Sequence, residues 1–314
     1  MLFGRNKGAG AAPSPDAAQR AAESLAAIEA GGLPLAARDR LAKLGEAGPG
    51  FYSTDLTTNE FLLLRQSGFR PITQVMGSCF YNVGWQYTPG GFGYGFTSGQ
   101  IFELDAPTQA WQEARRLALS RLAEEARLAG ADAVVGVRIE RGAYEWARGQ
   151  IEFIAVGTAV KCERFEIGDD KPVLSNLSGQ DFAKLYASGY WPVGIVAGTT
   201  IIYAMTGWNQ QMSSGWMFSP NQELPDFTRG VQAARAAAMQ RVHAQAAQLD
   251  APAGVVGMRF ELETKEVERQ TGNDTEVTDM MVIVHALGTA IVELENHSAP
   301  PPVTLALPLN EETR

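Results

Sequence analysis

The chain has few of the side chains on which catalytic and metal chemistry usually depends. Its 314 residues include only two cysteines and three histidines. Cys79 and Cys162 form neither a disulfide framework nor a C-x-x-C pair, which fits a reducing compartment. The sequence has no Ser/His/Asp or Cys/His triad, no H-E-x-x-H and no repeated paired-carboxylate motif. These absences weigh against an enzyme, predict no catalytic residue and leave any cofactor unassigned.

Positive charge is also scarce. The net charge is −9, and no basic cluster stands out against it. This balance gives no general attraction to nucleic acid or to anionic lipid. Residues 1–16 contain cations but no apolar core of signal-peptide length, so we expect a cytoplasmic protein without a nucleic-acid partner.

One uncharged run, residues 191–208, approaches the length of a membrane span. Pro192, Gly194 and Gly198 would weaken a helix there, and its Val, Ile and Thr residues favour a strand. The sequence therefore favours a buried strand over a transmembrane segment.

The chain contains the same pattern twice. Residues 131–160 and 253–291 each hold V-V-G-x-R-x-E, an irregular spacer and an apolar run that ends in G-T-A-[VI]. The segments 54–78 and 175–199 also match at a constant offset. The sequence therefore predicts two copies of one structural unit.

Each copy predicts the order helix–strand–helix–strand–strand. Thr57 and Ser178 are natural N-caps for a short helix, which we expect to stop at Gly68 or Gly189. A strand follows, and then a longer helix with apolar residues at spacings of three and four. The strands that flank this helix should be parallel, with the last strand returning as a hairpin.

Alternation along V-V-G-V-R-I-E predicts the faces of the strand that follows the longer helix. Val135, Val137 and Ile139 would share one face, with Val134 and Arg138 on the other. The last strand of the unit has apolar side chains on both faces. A single helix covers only one face, so another sheet or subunit is needed to cover the second.

These patterns predict an α+β protein with two tandem β-α-β-β domains. Each domain would contain a three-stranded sheet and one long helix, with a short helix in front. The predicted domains span residues 51–168 and 172–296. Residues 1–50 would form a disordered start and a helical arm, and residues 297–314 a mobile tail.

The run ARRLALSRLAEEARLAGADAVVGVRIE, followed by FIAVGTAV, resembles the YbjQ-like family, also described as a heavy-metal-binding domain. Its counterpart ARAAAMQRVHAQAAQLDAPAGVVGMRFE, followed by ALGTAI, resembles the same family. The similarity covers about 70–163 and 191–294. It implies a dodecin-like β-α-β-β unit that assembles as a pentameric ring, and it implies no enzyme activity. The chain departs from the family by its two copies, the short helix before each and the N-terminal arm.

Cys79 and Cys162 are weak candidates for a metal site. Cys79 lies in the first predicted strand and Cys162 ends the third, which should be its neighbour in the sheet, so the thiols could approach each other. Their counterparts in the second copy are Thr200 and Glu293, and no histidine is near in sequence. Packed thiols are the favoured interpretation, because cysteine often behaves as a small hydrophobic residue.

Two charged pairs are the strongest candidates for binding a ligand or lining a pore. They are Arg138 with Glu140 and Arg259 with Glu261, at matched places on a strand face that otherwise carries small or apolar groups. The favoured alternative is an ion pair across strands or between subunits, which would help to fix register.

Two aromatic loops are further candidates. Trp85 lies in the loop GWQYTPGGFGYGFTSG, and Trp208 lies in its counterpart. The first loop lacks the terminal G-K-[ST] of a phosphate-binding P-loop. A flexible loop, or one that packs aromatic side chains across a subunit boundary, is favoured over a ligand contact.

The leading functional prediction is a non-catalytic, ring-forming scaffold or binding module whose ligand is unassigned. The alternative is an enzyme, or a protein that binds a metal or small molecule, with a site assembled between subunits. One helix per domain leaves apolar strand faces uncovered, which predicts a homo-oligomer. The resemblance implies a pentamer-based assembly of five chains. A closed ring in which the two repeats alternate would allow another number of chains.

Overall fold

The computed structural model describes residues 14–46, 53–83, 99–143, 149–164, 171–207, 221–251, 253–270 and 276–294. Within these ranges the chain is a mixed α+β protein with two four-stranded sheets. The predicted mobile tail, 297–314, lies outside the described residues, as does most of the predicted disordered start.

Two helices form the N-terminal arm. Helix α1 spans Pro15–Glu29, and its N-cap Ser14 accepts a hydrogen bond from the amide of Ala17. Helix α2 spans Leu35–Glu46 and packs against the first repeat. The predicted helical arm is therefore present as two pieces.

The first repeat follows the arm in the predicted order, with one additional short strand. Its elements are α3 (Thr58–Gln66), β1 (Phe69–Asn82), β2 (Ile101–Glu103), α4 (Asp105–Leu128), β3 (Ala133–Ala143) and β4 (Gln150–Cys162). The second repeat has the same scheme. Its elements are β5 (Val173–Leu174), α5 (Gly179–Ala187), β6 (Tyr190–Ala204), α6 (Pro225–Gln248), β7 (Gly254–Gln270) and β8 (Glu276–Glu293).

The predicted caps define both short helices. The Thr57 hydroxyl accepts from the amide of Glu60, whose carboxylate accepts from the amide of Thr57, so that α3 begins with a capping box. The Ser178 hydroxyl caps α5. Gly68 and Gly189 follow the two helices at φ 87° and 85°, a left-handed conformation that glycine adopts without strain.

The two sheets exchange short strands. The first sheet has the order β1-β4-β3-β5, and the second has the order β2-β6-β8-β7. In each, the long strands that flank the long helix are parallel, with the last strand between them. The sheets differ from the predicted three-stranded ones by a fourth strand, which the other repeat supplies: β2 pairs with β6, and β5 pairs with β3. The domain bounds 51–168 and 172–296 therefore stay predictions.

The V-V-G motif is a bulge, and the predicted alternation along it is wrong. Gly136 has φ 65°, and the pairing of β3 with β4 shifts between Val135 and Arg138. The inserted residue reverses the faces of the residues after it, so Val134 and Val137 share the core beneath α4 while Val135 packs in another cluster. The second repeat has the same irregularity, with Gly257 at φ 62°.

Each long helix lies unusually close to its own sheet. A Cβ atom on Gly77 would lie 2.0 Å from the carbonyl oxygen of Ala118, and one on Gly198 would lie 2.0 Å from that of Ala238. Only glycine fits at these two crossings. The apolar face of each helix then packs into its sheet through small and aliphatic side chains: Ala114, Ala118, Leu122 and Ala126 in α4, and Ala234, Ala238, Val242 and Ala246 in α6.

The uncharged run near residue 191 forms β6, as the sequence favours. Val196, Ile201 and Ile202 are buried in this strand. Among the residues that the structure describes, no helix is both long enough and apolar enough to cross a membrane.

Candidate functional site: the contact between the two repeats

Helix α4 of the first repeat lies between the two sheets. One side packs on its own sheet through Ala114 and Ala118, and the other side contacts the face of the second sheet that α6 leaves open. The cluster beneath α4 therefore includes Ile201 and Ile283 of the second repeat. The first repeat thus covers the bare face of the second sheet within one chain.

An aromatic stack and a buried arginine join α4 to this face. The ring of Trp111 stacks on His285, with ring centroids 4.8 Å apart. The guanidinium of Arg115 donates hydrogen bonds to the hydroxyl of Thr199 and the carbonyl oxygen of Ala197. His285 Nδ1 lies 3.0 Å from the same Thr199 hydroxyl, which therefore links the two side chains.

The segment leading into α4 continues the contact along the sheet edge. The Leu104 amide donates to the carbonyl oxygen of Ile201, and the Ile201 amide donates to the Thr108 hydroxyl. Leu104 is only 3% exposed. Together with the β2–β6 pairing, these bonds extend the second sheet by one strand that the first repeat supplies.

A carboxylate from β2 is held at the same edge. Glu103 accepts hydrogen bonds from Thr200, at 2.7 Å, and from Arg241, at 2.9 Å. Burial alone would raise the pKa of Glu103, but the hydrogen bonds from Arg241 and Thr200 outweigh it and lower the pKa. Glu103 therefore remains ionised in the contact at neutral pH.

Arg115 is nearly completely buried at this contact. Burial, with smaller contributions from Arg141 and Arg241, lowers its pKa to about 10. The guanidinium is still protonated at neutral pH, and no carboxylate among the described residues pairs with it. It lies at the edge of an open groove of about 900 Å³ that is lined by α4, the first half of β6 and the end of α6.

The corresponding face of the first sheet is more exposed. Met76 and Phe80 are 48% and 63% exposed, and Ile154 and Val156, across from β1, are half-buried. The pairing register places Met76 opposite Val156 on this face. The two repeats therefore differ: the second sheet has its open face covered by α4, whereas the first sheet keeps apolar side chains in solvent.

The structure does not bring the four charged candidates together as two local pairs. Arg138 pairs with Asp55, which precedes α3, and Glu140 is exposed on the open face of the first sheet. Arg259 is exposed, and Glu261 pairs with Arg141 of the first repeat. Glu261 therefore forms an ion pair between the two repeats, whereas the sequence favours an ion pair across strands or between subunits. A role in ligand binding stays a prediction.

The two cysteines lie far apart, contrary to the expectation that their thiols could approach. Cys162 pairs with Phe69 in the register of β1 and β4, while Cys79 pairs with Phe153. Ten residues of β1 separate the two positions, or roughly 33 Å at the usual strand rise. Both cysteines are buried and free. Within the described ranges, no group of three His, Cys, Asp or Glu side chains could hold a metal ion.

Trp85 and Trp208 lie outside the described residues, so their assignment as ligand or contact residues stays a prediction. The sequence patterns above did not point to Glu103, Leu104, Thr108, Gln112 and Arg115, which also join the repeats. Their signal is a recurrence: residues 103–115 and 223–235 both read E-L-x₃-T-x₃-Q-x-A-R.

Comparison with known proteins identifies the family. The model of a family described as "Putative heavy-metal-binding", the YbjQ family, matches residues 94–163 and 191–293, together more than half of the chain. The chain belongs to the YbjQ family. Both matched regions contain a long helix and the strand pair that follows it, one set in each repeat.

One relative matches across both repeats. The chain is 37% identical over 214 residues to the encapsulin nanocompartment protein Rv1762c of Mycobacterium tuberculosis, covering 67% of this chain and 77% of that protein. Shorter relatives match a single segment. A UPF0145 protein of Halobacterium salinarum is 53% identical over 58 residues, which are 18% of this chain and 54% of that protein.

A UPF0145 protein of Clostridium novyi is 44% identical over 59 residues, 19% of this chain and 55% of its own length. The chain therefore spans about half the length of these shorter relatives. No solved structure matches the chain.

Proposed function

We propose that this YbjQ-family chain is a non-catalytic, homo-oligomeric scaffold or binding module. Closed, ring-like assembly is the expected arrangement, since a head-to-tail contact that does not close would run on into a filament. A pentamer-based ring is the form we propose first. Free buried thiols and a net charge of −9 are consistent with a cytoplasmic protein that does not bind nucleic acid.

The observation that carries this proposal is the difference between the two sheets. The second sheet buries its open face against α4, but the first sheet leaves Met76 and Phe80 largely exposed on the equivalent face. Burying an aliphatic or aromatic side chain stabilises a protein by roughly 1.5–3 kcal/mol. Covering this face with another chain would therefore favour association.

The relatives support an assembly role. The mycobacterial relative that matches both repeats is named as an encapsulin nanocompartment protein. We infer from it that this chain also works as part of a larger assembly. The description of the YbjQ family as heavy-metal-binding adds a candidate ligand class, which the described side chains do not favour.

Light scattering coupled to size-exclusion chromatography tests the proposal. We expect a mass several times the 33.8 kDa of one chain at micromolar concentration. Phe80→Asp, which places a charge on the open face of the first sheet, should lower that mass. Leu25→Asp is the matched control, because Leu25 is 56% exposed on α1, away from that face. A mass of one chain for the unmodified protein at every concentration would rule the proposal out.

A further inference from the structure

We propose that the second repeat of one chain docks on the first repeat of another copy, and that this contact repeats the one between the two repeats of a single chain. This inference rests on the proposed oligomeric function and specifies its surfaces. The interface would be heterologous: the start of α6 on one copy meets the open sheet face and the β1 edge of the next.

The docking residues of the first repeat recur in the second. The motif E-L-x₃-T-x₃-Q-x-A-R supplies Glu103, Leu104, Thr108, Gln112 and Arg115 in the first repeat, and all five contact the second repeat. The second repeat carries the same residue types at the same spacing: Glu223, Leu224, Thr228, Gln232 and Arg235. A set of five side chains that serves one contact is therefore present twice.

The second set lies on the surface in a single chain. Leu224 is 37% exposed, whereas its counterpart Leu104 is 3% exposed. Gln232 and Arg235 are exposed, with the Arg235 guanidinium over the ring of Phe260, 5.7 Å from its centroid. The Thr228 hydroxyl donates to Glu223, 2.8 Å away, on the surface of its own repeat. The second docking set is thus positioned like the first, at the start of a long helix, but it is not buried.

The receptor surface recurs in part. Thr200 and Arg241, which hold Glu103, correspond to Cys79 and Arg121, and Arg121 donates to carbonyl oxygens of the N-terminal arm. Thr199, which accepts from Arg115, corresponds to Ser78, so that a hydroxyl is present at the same place in the first sheet. Ala197 and Ile201 correspond to Met76 and Phe80, the exposed apolar residues of β1. The first sheet therefore offers a hydroxyl and apolar side chains to the second docking set.

The two residues of one contacting pair both differ between the contact within the chain and the proposed contact between chains. Trp111 and His285 stack at the contact within the chain. Their counterparts are Val231 and Ile154, so two aliphatic side chains replace two stacked rings. This exchange preserves an apolar contact at the centre of the proposed interface. The ion pair of Arg141 with Glu261 is not preserved in the same way.

A groove at the far end of the second repeat also fits contact with another copy of the chain. It has a volume of about 730 Å³ and is lined by α6 and the start of β7, including Gly254 and Val255. Their counterparts in the first repeat, Ala133 and Val134, pair with β5, which the following repeat supplies. The groove therefore lies at the position that corresponds to the β5 contact of the first repeat, where a neighbouring copy would supply the strand in the proposed arrangement.

An engineered disulfide tests this arrangement. Phe102 pairs with Tyr203 across the β2–β6 contact, and the corresponding positions are Gln222 and Asn82. Antiparallel partners have Cα atoms roughly 4.5–5.5 Å apart, which a disulfide can span. One chain with Gln222→Cys and a differently tagged chain with Asn82→Cys would be co-expressed and oxidised, and the products separated without reductant.

We expect a covalent dimer containing both tags and a disulfide-linked peptide that joins positions 82 and 222. The control replaces Asn82→Cys with Gln74→Cys, an exposed position of the same strand eight residues away. The control should give at least tenfold less mixed dimer. Comparable cross-linking in both would contradict the register.

The outcomes separate this inference from the proposed function. An oligomer by light scattering with no disulfide between positions 82 and 222 would overturn the docking surfaces and leave the oligomeric function standing. A mass of one chain would overturn both. Arg235→Glu adds a second test: it should weaken the oligomer if Arg235 repeats the role of Arg115, while Ser78→Arg in the same chain should restore part of the association by placing a cation opposite the new carboxylate.

Discussion

The indole of Trp111 lies against the imidazole of His285 at a centroid distance of 4.8 Å and an interplanar angle of 27°. Trp111 belongs to the long helix of the first repeat and His285 to the central strand of the second. The same indole also meets the edge of Phe153 in its own sheet. One side chain therefore packs in both repeats and couples their stability.

The first prediction follows from this double role. Trp111→Ala should lower the free energy of unfolding by about 3–5 kcal/mol, as expected for truncation of a large buried side chain. Trp111→Phe keeps an aromatic ring in both contacts and should lose less than half as much. Urea unfolding monitored by circular dichroism measures both values. Equal losses for the two variants would show that the stacked contact is not what stabilises this position.

The second prediction concerns the close approach of each long helix to its sheet. Gly77→Ala and Gly198→Ala would each place a methyl group 2.0 Å from a helix carbonyl oxygen, so the helix must move away. Each substitution should cost about 1–3 kcal/mol or more through overpacking. The thermal unfolding midpoint of each variant measures the effect.

Gly130→Ala is the control for this pair. A Cβ atom there meets nothing within 4 Å, but the residue has φ 73°, so only backbone strain opposes the change. This control should lose about 1 kcal/mol. Finding Gly77→Ala and Gly198→Ala no less stable than Gly130→Ala would contradict the close helix crossing.

The duplication could be predicted from the sequence because local signals recur in both copies. Thr57 and Ser178 begin the short helices, and Gly68 and Gly189 end them, as their residue types require. The bulge at Gly136 could not be predicted from the sequence. Alternation of side chains between the two faces of a strand has a period of two residues, and a glycine within the strand does not interrupt that pattern. Only the register of the sheet reveals the extra residue.

The contact between repeats was harder to predict than the repeats themselves. Arg115 and Gln112 lie on a helix face whose polar residues predict exposure to solvent. In the structure Arg115 is instead buried against the second sheet. Charged residues are rarely buried unless they have partners, and the partners here are distant in sequence. The recurrence of E-L-x₃-T-x₃-Q-x-A-R at residues 103–115 and 223–235 is the sequence signal that marks this set.

The third prediction concerns the Cys79 thiol. Burial raises the pKa of Cys79, although nearby Arg121 opposes the effect. The folded protein should therefore keep this thiol protonated and unreactive toward iodoacetamide at pH 8, with alkylation appearing only in denaturant. Since the pKa is raised in the folded state, the contribution of this thiol to stability is present below pH 9 and is lost as the pH rises further. Peptide mass spectrometry measures the alkylation, and rapid labelling in native buffer would contradict the burial.

The fourth prediction is that the purified protein holds no stoichiometric zinc or copper. Cys79 lies near the end of β1, whereas Cys162 lies on β4 opposite the start of β1, and the described residues contain no cluster of three metal-ligand side chains. A tight zinc or copper site needs several such ligands in one place. Elemental analysis of protein purified without chelator measures the metal content. One metal per chain that disappears in the Cys79→Ser, Cys162→Ser variant would refute this prediction.

The fifth prediction concerns the pH dependence of the contact between repeats. Burial would raise the pKa of Glu103, but hydrogen bonds from Arg241 and Thr200 lower it below the usual value of 4.5. A carboxylate whose pKa is lower in the folded state stabilises the protein above the unfolded pKa, and that stabilisation is lost as the pH falls below about 4.5. Thr200 and Arg241 belong to the second repeat, so acid should weaken the attachment of β2.

Glu103→Gln separates this carboxylate from all others. The variant should be less stable than the unmodified protein at pH 7, and the difference should shrink as the pH is lowered from 5 to 3. Glu29→Gln, on exposed α1, is the control and should leave the stability unchanged across that range. Hydrogen exchange of the Leu104 amide, which donates to Ile201, reports on the same contact and should accelerate in Glu103→Gln at pH 7. A stability difference between Glu103→Gln and the unmodified protein that stays constant from pH 7 to pH 3 would show that Glu103 does not act through its charge.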